Sequence, residues 1–273
     1  MAINVECIDR MIEDICDYLD IVPEYLQERI LDIWDASVED KLFDSNKFYE
    51  LSASFVSEYS DEKIEEVCLC HLTRCIGQPD ALLPLCKLLT TDNLFSNFLK
   101  ERDVEFYSKN KNIVMVYKGK PIPPIELYDP DSVDNKHTRL AGRLGWCGEK
   151  DYCVNGFLFG IDPENSTDSY YHTLMDGPEL LQDIDSFLNT NLCQEYKKCS
   201  KYYLAIAKVP LNKIIYDDGL NIGRDKTKQY LAHCFQFLLS WYTRDSKWSR
   251  NLYNAMIRMN DFEVVNVDHH LEL

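Results

Sequence analysis

Three thiols, an imidazole, a hydroxyl and a guanidinium fall within the nine residues Val67-Cys68-Leu69-Cys70-His71-Leu72-Thr73-Arg74-Cys75. Groups of these types serve three chemistries: a metal knot, a cysteine nucleophile, or a strand that presents polar side chains to a ligand. In an extended strand, side chains alternate between faces, so Cys68, Cys70 and Arg74 take one face while His71, Thr73 and Cys75 take the other. The thiols and the imidazole then converge on a metal only through a sharp turn, and no glycine before Gly77 supplies one. A nucleophile needs a base within hydrogen-bond reach. Cys70 and His71 face opposite ways, and Cys75 lies roughly 13 Å from His71 by strand rise, which leaves only remote partners such as His137, His172 or His233. The same alternation favours the third chemistry, because His71 and Thr73 stand side by side on one face and offer an imidazole and a hydroxyl to one polar group. A half-buried strand with both side chains satisfied by neighbouring loops shares this spacing.

The elements that would position this segment follow from periodicity and turn chemistry. Residues 1–66 read as helices: Ile8, Met11, Ile12, Ile15 and Leu19 recur at three- and four-residue steps, as do Leu26, Ile30 and Ile33, then Leu51, Phe55 and Tyr59. Pro23 suits the opening of the second helix. From Val67 the pattern becomes that of a strand stopped by Gly77 and Pro79. Helical patterns then cover Ala81–Leu89 and Leu94–Lys100, and a hairpin joins Val104–Tyr107 to Ile113–Tyr117. A proline-rich loop precedes a strand at Tyr152–Phe159, whose glycine marks a bulge or a close approach. A helix opens near Pro178, a strand runs over Tyr202–Leu211, the most apolar helix covers Thr227–Tyr242, and Phe262–Val267 closes the chain as a strand. Strands separated by helices and hairpins without regular alternation predict an α+β protein: a helical cap or subdomain over 1–66 and a core domain over 67–273.

The formal net charge is -17, from 29 Lys+Arg against 46 Asp+Glu, so no overall basic field gathers nucleic acid. The acidic N-terminal stretch lacks the apolar segment of a secretory signal. No apolar run reaches the roughly 20 residues of a membrane helix, and a soluble, cytoplasmic protein is expected. Eleven cysteines, an odd number scattered through apolar sequence, suit reduced core thiols better than a disulfide framework. The pairs Cys147/Cys153 and Cys193/Cys199 lack common zinc spacing, and no metal is expected.

A strand carrying His71-Leu72-Thr73, followed by a loop and the apolar pattern LLPLCKLL, resembles the first NAD-binding motif of the ADP-ribosyltransferase fold family, in its bacterial toxin and RNA 2′-phosphotransferase-like branches. The resemblance implies a split, mixed or antiparallel β-sheet core with flanking helices. It gives His71 a contact to the nicotinamide ribose, Thr73 support of the same strand, and Arg74 a pyrophosphate contact. The family's aromatic beside nicotinamide would be Tyr152 or Phe157, with Phe159, Tyr170 and Tyr171 as further candidates. Its carboxylate, which stabilises the oxocarbenium-like ribose as nicotinamide leaves, would be Glu263 or Glu179. Glu179 has a second explanation in the helix dipole. The ExE or QxE signature of the family is missing.

The resemblance implies an NAD-consuming enzyme of a toxin or defence system, with NAD as substrate and a protein, a nucleic acid or water as acceptor. From another class comes a non-catalytic interaction module that binds a protein partner through the acidic N-terminal helices. A hydrolase built on Asp129, Asp131 and Asp134 competes poorly, since DPDSVD has the composition of a turn.

Overall fold

The computed structural model describes residues 3–124, 136–147, 150, 152–165, 171–217, 225–244 and 252–273, with the side chains of 136 and 137 excepted. In chain order the first elements are α1 (Ile8–Leu19), α2 (Pro23–Ala36), β1 (Val38–Glu39), β2 (Leu42–Phe43), α3 (Ser45–Tyr59), β3 (Glu66–Cys75), β4 (Ala81–Leu82), α4 (Leu85–Thr90), α5 (Leu94–Lys100), β5 (Val104–Lys109), β6 (Asn112–Tyr117) and β7 (Lys120–Pro121). There follow α6 (Lys136–Arg143), β8 (Asn155–Phe157), α7 (Tyr171–Asp176), α8 (Glu179–Leu188), α9 (Leu192–Cys199), β9 (Lys201–Pro210), β10 (Ile215–Tyr216), α10 (Lys226–Tyr242), β11 (Met256–Arg258), β12 (Val265–Asn266) and β13 (His269–Glu272). The protein is α+β, and its recorded strand pairs are antiparallel.

Two compact units share the chain. The first takes Met1–Cys70, Gly156–Ser169 and Lys208–Arg258; the second takes His71–Asn155, Tyr170–Ala207 and Met259–Leu273. The N-terminal helices therefore belong to a unit that also draws on two later segments.

In the first unit, α1 buries Met11, Ile15 and Leu19 along one stripe and ends at Asp20, whose φ of 54° breaks the helical path. Pro23 stands in the first turn of α2, where its missing N–H costs nothing. Asp44 caps α3 by accepting from the N–H groups of Asn46 and Lys47. α3 packs on α10, with Phe55 and Phe235 rings 5.9 Å apart, and the Ile64 N–H donates to the Thr227 hydroxyl at 3.1 Å. Cys70 of β3 pairs with Phe157 of β8. Between these strands a Cβ at Gly156 would stand 2.6 Å from the Cys70 carbonyl oxygen, so the glycine serves close approach of two backbones.

In the second unit, β5 and β6 form the expected hairpin, and the strands extend into residues 108–112, which separate the two expected strands. Lys109 pairs with Asn112, and the two turn residues, Asn110 and Lys111, hold φ of 53° and 65°, the requirement of a type I′ turn. Its core gathers Leu89, Phe98, Leu99, Val104, Ile113, Leu144, Leu181 and Tyr196.

Three sequence-based elements are shorter or different. Ala81–Leu82 is a strand paired with Val265–Asn266, and the following helix begins only after Pro84, because proline disfavours helix in the residue before it. The strand expected over Tyr152–Phe159 is reduced to Asn155–Phe157, and that over Phe262–Val267 to Val265–Asn266.

Candidate functional site

The first polar pair of the sequence falls where β3 enters the second unit. His71 is half-buried, and its Nδ1 lies 2.6 Å from the Asn155 carbonyl oxygen. A carbonyl only accepts, so Nδ1 carries the hydrogen and, in the neutral ring, Nε2 keeps its lone pair. Desolvation pulls the imidazole pKa below its ordinary value, against the opposing effect of the Asn155 hydrogen bond. The ring is therefore neutral at physiological pH, with one tautomer selected. Thr73, two residues on and also half-buried, makes no hydrogen bond through its hydroxyl to the described residues. The pair is a fixed acceptor beside a hydroxyl able to donate or accept.

Arg74 serves another purpose. Its guanidinium donates through Nε to the Ser200 hydroxyl at 3.0 Å, and through its terminal nitrogens to the carbonyls of Met175, Lys197 and Ser200 at 3.0–3.1 Å. The Lys197 and Ser200 carbonyls lie at the end of α9, where helix carbonyls lack intrahelical donors and a cation meets the negative end of the dipole. The Tyr196 hydroxyl returns a bond to the Arg74 carbonyl at 3.2 Å. Four of the five guanidinium N–H groups are spent on the protein itself.

Of the expected aromatics, Tyr152, Phe157 and Phe159 are core residues. Tyr152 is fully buried, donates its hydroxyl to the Leu144 carbonyl at 2.9 Å and meets Phe262 edge to face. Burial pushes its phenol up to about 12. Phe157 is buried within the first unit, whereas His71, Thr73 and Tyr152 belong to the second. Tyr171 packs its ring on Tyr202, Phe159 packs on Phe237, and Tyr170 lies outside the described residues.

Of the two carboxylates, Glu179 stands in the first turn of α8 and pairs with Arg143 at 2.6 Å. Arg143 and Arg139 also hold the buried Asp183, at 3.3 and 3.2 Å. Burial raises the Asp183 carboxyl in spite of both cations. This cluster ties α6 to α8. Glu263 precedes β12 in a turn, its N–H donating to the Asn260 carbonyl at 3.3 Å. His71 and Thr73 are thus adjacent, while Tyr152 and Glu179 share no hydrogen bond with either.

Two of the three thiols of β3 look inward, and Cys75 is half-buried. Cys68 and Cys70 are buried, and desolvation pushes Cys70 well above the ordinary thiol range. Cys75 rises to about 11, through burial and then Asp80. Such thiols are poor nucleophiles. Of the remote histidines, His233 stacks on Tyr216 and bonds the Tyr253 hydroxyl, and His172 packs edge to face on Tyr171. The His137 side chain and Asp129, Asp131 and Asp134 lie outside the described residues. Among the described residues, no cluster of three or more His, Cys, Asp or Glu side chains is arranged to hold a metal, and no helix is long and apolar enough to cross a membrane.

A cavity of about 500 Å³ in the second unit escapes the sequence reading. It is lined by Gln78, Cys199, Lys201, Tyr203, His270 and Glu272 among others, and includes none of the residues expected to bind NAD. Its only sequence signal is the alternation of polar residues in Lys201-Tyr202-Tyr203 and His270-Leu271-Glu272. No protein family, curated protein or solved structure matches this chain.

Proposed function

We propose that the protein is an ADP-ribosyltransferase-like enzyme that binds NAD through His71 and Thr73. One observation carries this reading: the hydrogen bond from His71 Nδ1 to the Asn155 carbonyl at 2.6 Å fixes a neutral imidazole whose Nε2 is left as an acceptor. A ribose hydroxyl is a donor of matching chemistry, and the Thr73 hydroxyl beside it has capacity for the neighbouring oxygen. In this reading Glu263, just before the late strand β12, supplies the carboxylate that stabilises positive charge on the ribose as nicotinamide departs, while Glu179 is held by Arg143 and serves α8. ADP-ribose then passes to a protein, a nucleic acid or water. No role in pyrophosphate binding falls to Arg74, and no role in nicotinamide stacking falls to Tyr152. The setting is a cytoplasmic toxin or defence protein.

The test is calorimetric titration with NAD together with a nicotinamide-release assay. Wild type binds and turns over NAD. The variant H71A loses both while its circular dichroism shows that it stays folded, and E263Q keeps binding but loses turnover. Absence of any NAD binding by the wild type refutes the reading and favours the interaction module, whose acidic N-terminal helices would then be examined for a bound protein partner.

A further inference from the structure

Among the described residues, nothing pairs with the outer backbone edge of β13. Among the described residues its ladder partner is β9, in the register His269↔Ile206, His270↔Ala205, Leu271↔Leu204 and Glu272↔Tyr203. The Leu273 N–H donates to the Tyr202 carbonyl at 3.0 Å. In an antiparallel ladder, alternate residues turn their N–H and C=O toward the partner, so Leu271 and His269 follow Leu273 toward β9. The backbone groups of His270 and Glu272 consequently point away from it. The Asp268 N–H, which also reaches the Ile206 carbonyl, marks a bulge at the start of the ribbon. Edge strands are usually protected by lysine, proline or a covering element. Here Leu271 and Leu273 are 47% and 44% exposed.

We propose that β13 pairs with β13 of a second copy of this chain, antiparallel and centred on Leu271. This register uses the free edge fully. His270 and Glu272 of one copy exchange N–H···O=C bonds with Glu272 and His270 of the other, giving four backbone hydrogen bonds related by the twofold axis. It also sets each His270 imidazole opposite a Glu272 carboxylate of the second copy, and Leu271 opposite Leu271 on the other face. The competing registers fail on charge. Centring on His270 sets Glu272 against Asp268, and centring on Glu272 sets the two glutamates face to face. Avoidance of like-charge pairs therefore selects the register, and the self-complementary spacing of His270 and Glu272 on one face selects a second copy as the occupant. Tyr203 and Lys201 flank the pairing on the cavity face, where the Tyr203 ring meets His270 edge to face and Lys201 reaches Glu272 at 2.8 Å. The interface is short and each copy carries a net charge of -17, so association is weak and strengthens as salt screens repulsion.

Sedimentation equilibrium of the full chain in moderate salt, over a rising concentration series, tests this. The mass climbs from one copy toward two. H270P removes one outward N–H per copy without touching the β9 ladder, and E272K sets a cation opposite each imidazole. Each change acts twice across the twofold, and each weakens association by about tenfold or more. The exchange H270E/E272K restores it. Circular dichroism confirms folding, and E272K stands as the deciding variant if H270P unfolds. A monomer at every concentration, a dimer indifferent to E272K, or a double exchange that fails to rescue overturns the proposal. None of these outcomes depends on whether NAD binds.

Discussion

His71 is the residue whose chemistry and burial are most tightly joined. Its folded pKa is depressed by desolvation, so between that value and the unfolded value of about 6.5 the unfolded chain binds more protons. Stability contributed by the neutral ring is complete above about pH 6.5 and is lost as pH falls through the folded pKa. Urea midpoints from pH 7.5 down to 5 should therefore fall more steeply for wild type than for H71Q, and parallel curves would show that this ring does not titrate with folding. Arg74 offers a contrast on the same strand. Replacing it with alanine strands the carbonyls at the end of α9 and removes four charge-assisted bonds, a loss of about 2–3 kcal/mol. Lysine cannot reproduce the fork and recovers only part. If R74A instead left the denaturation midpoint unchanged, the role in holding α9 would be wrong.

At the scale of elements, the sequence was most legible where one signal dominated. The apolar stripes of α1 to α3, Pro23 at the start of α2, the β5–β6 hairpin, β9 and α10 all follow from periodicity and turn residues. Legibility failed where pairing decides. Ala81–Leu82 has a helix-like neighbourhood, but it is a strand because Val265–Asn266 pairs with it, and no local pattern encodes a partner more than 180 residues away. Candidate site residues fared similarly. The spacing of His71 and Thr73 was visible, whereas the burial of Tyr152 and the ion pair of Glu179 depend on packing that spacing does not contain. Gly156 shows how strictly strands can constrain one position. A methyl group there meets the Cys70 carbonyl and Leu69, so G156A should separate β3 from β8 and cost about 1–3 kcal/mol. A wild-type melting temperature for G156A would argue against so close an approach.

At the scale of the molecule, each unit is assembled from three stretches of chain. The helices of residues 1–66 place Phe55 against Phe235 and bond Ile64 to Thr227, partners more than 160 residues later in the chain. An isolated fragment of residues 1–66 should accordingly lack stable tertiary structure, with little near-ultraviolet circular dichroism and rapid amide exchange. A protected, cooperatively melting fragment would show that α1 to α3 form their own core. The interleaving reaches beyond folding into inheritance. The chain passes from one unit to the other after residues 70, 155, 169, 207 and 258, so no single recombination event can lift either unit out as a coding cassette. Whatever the two units do, a genome must copy, lose or transfer them together.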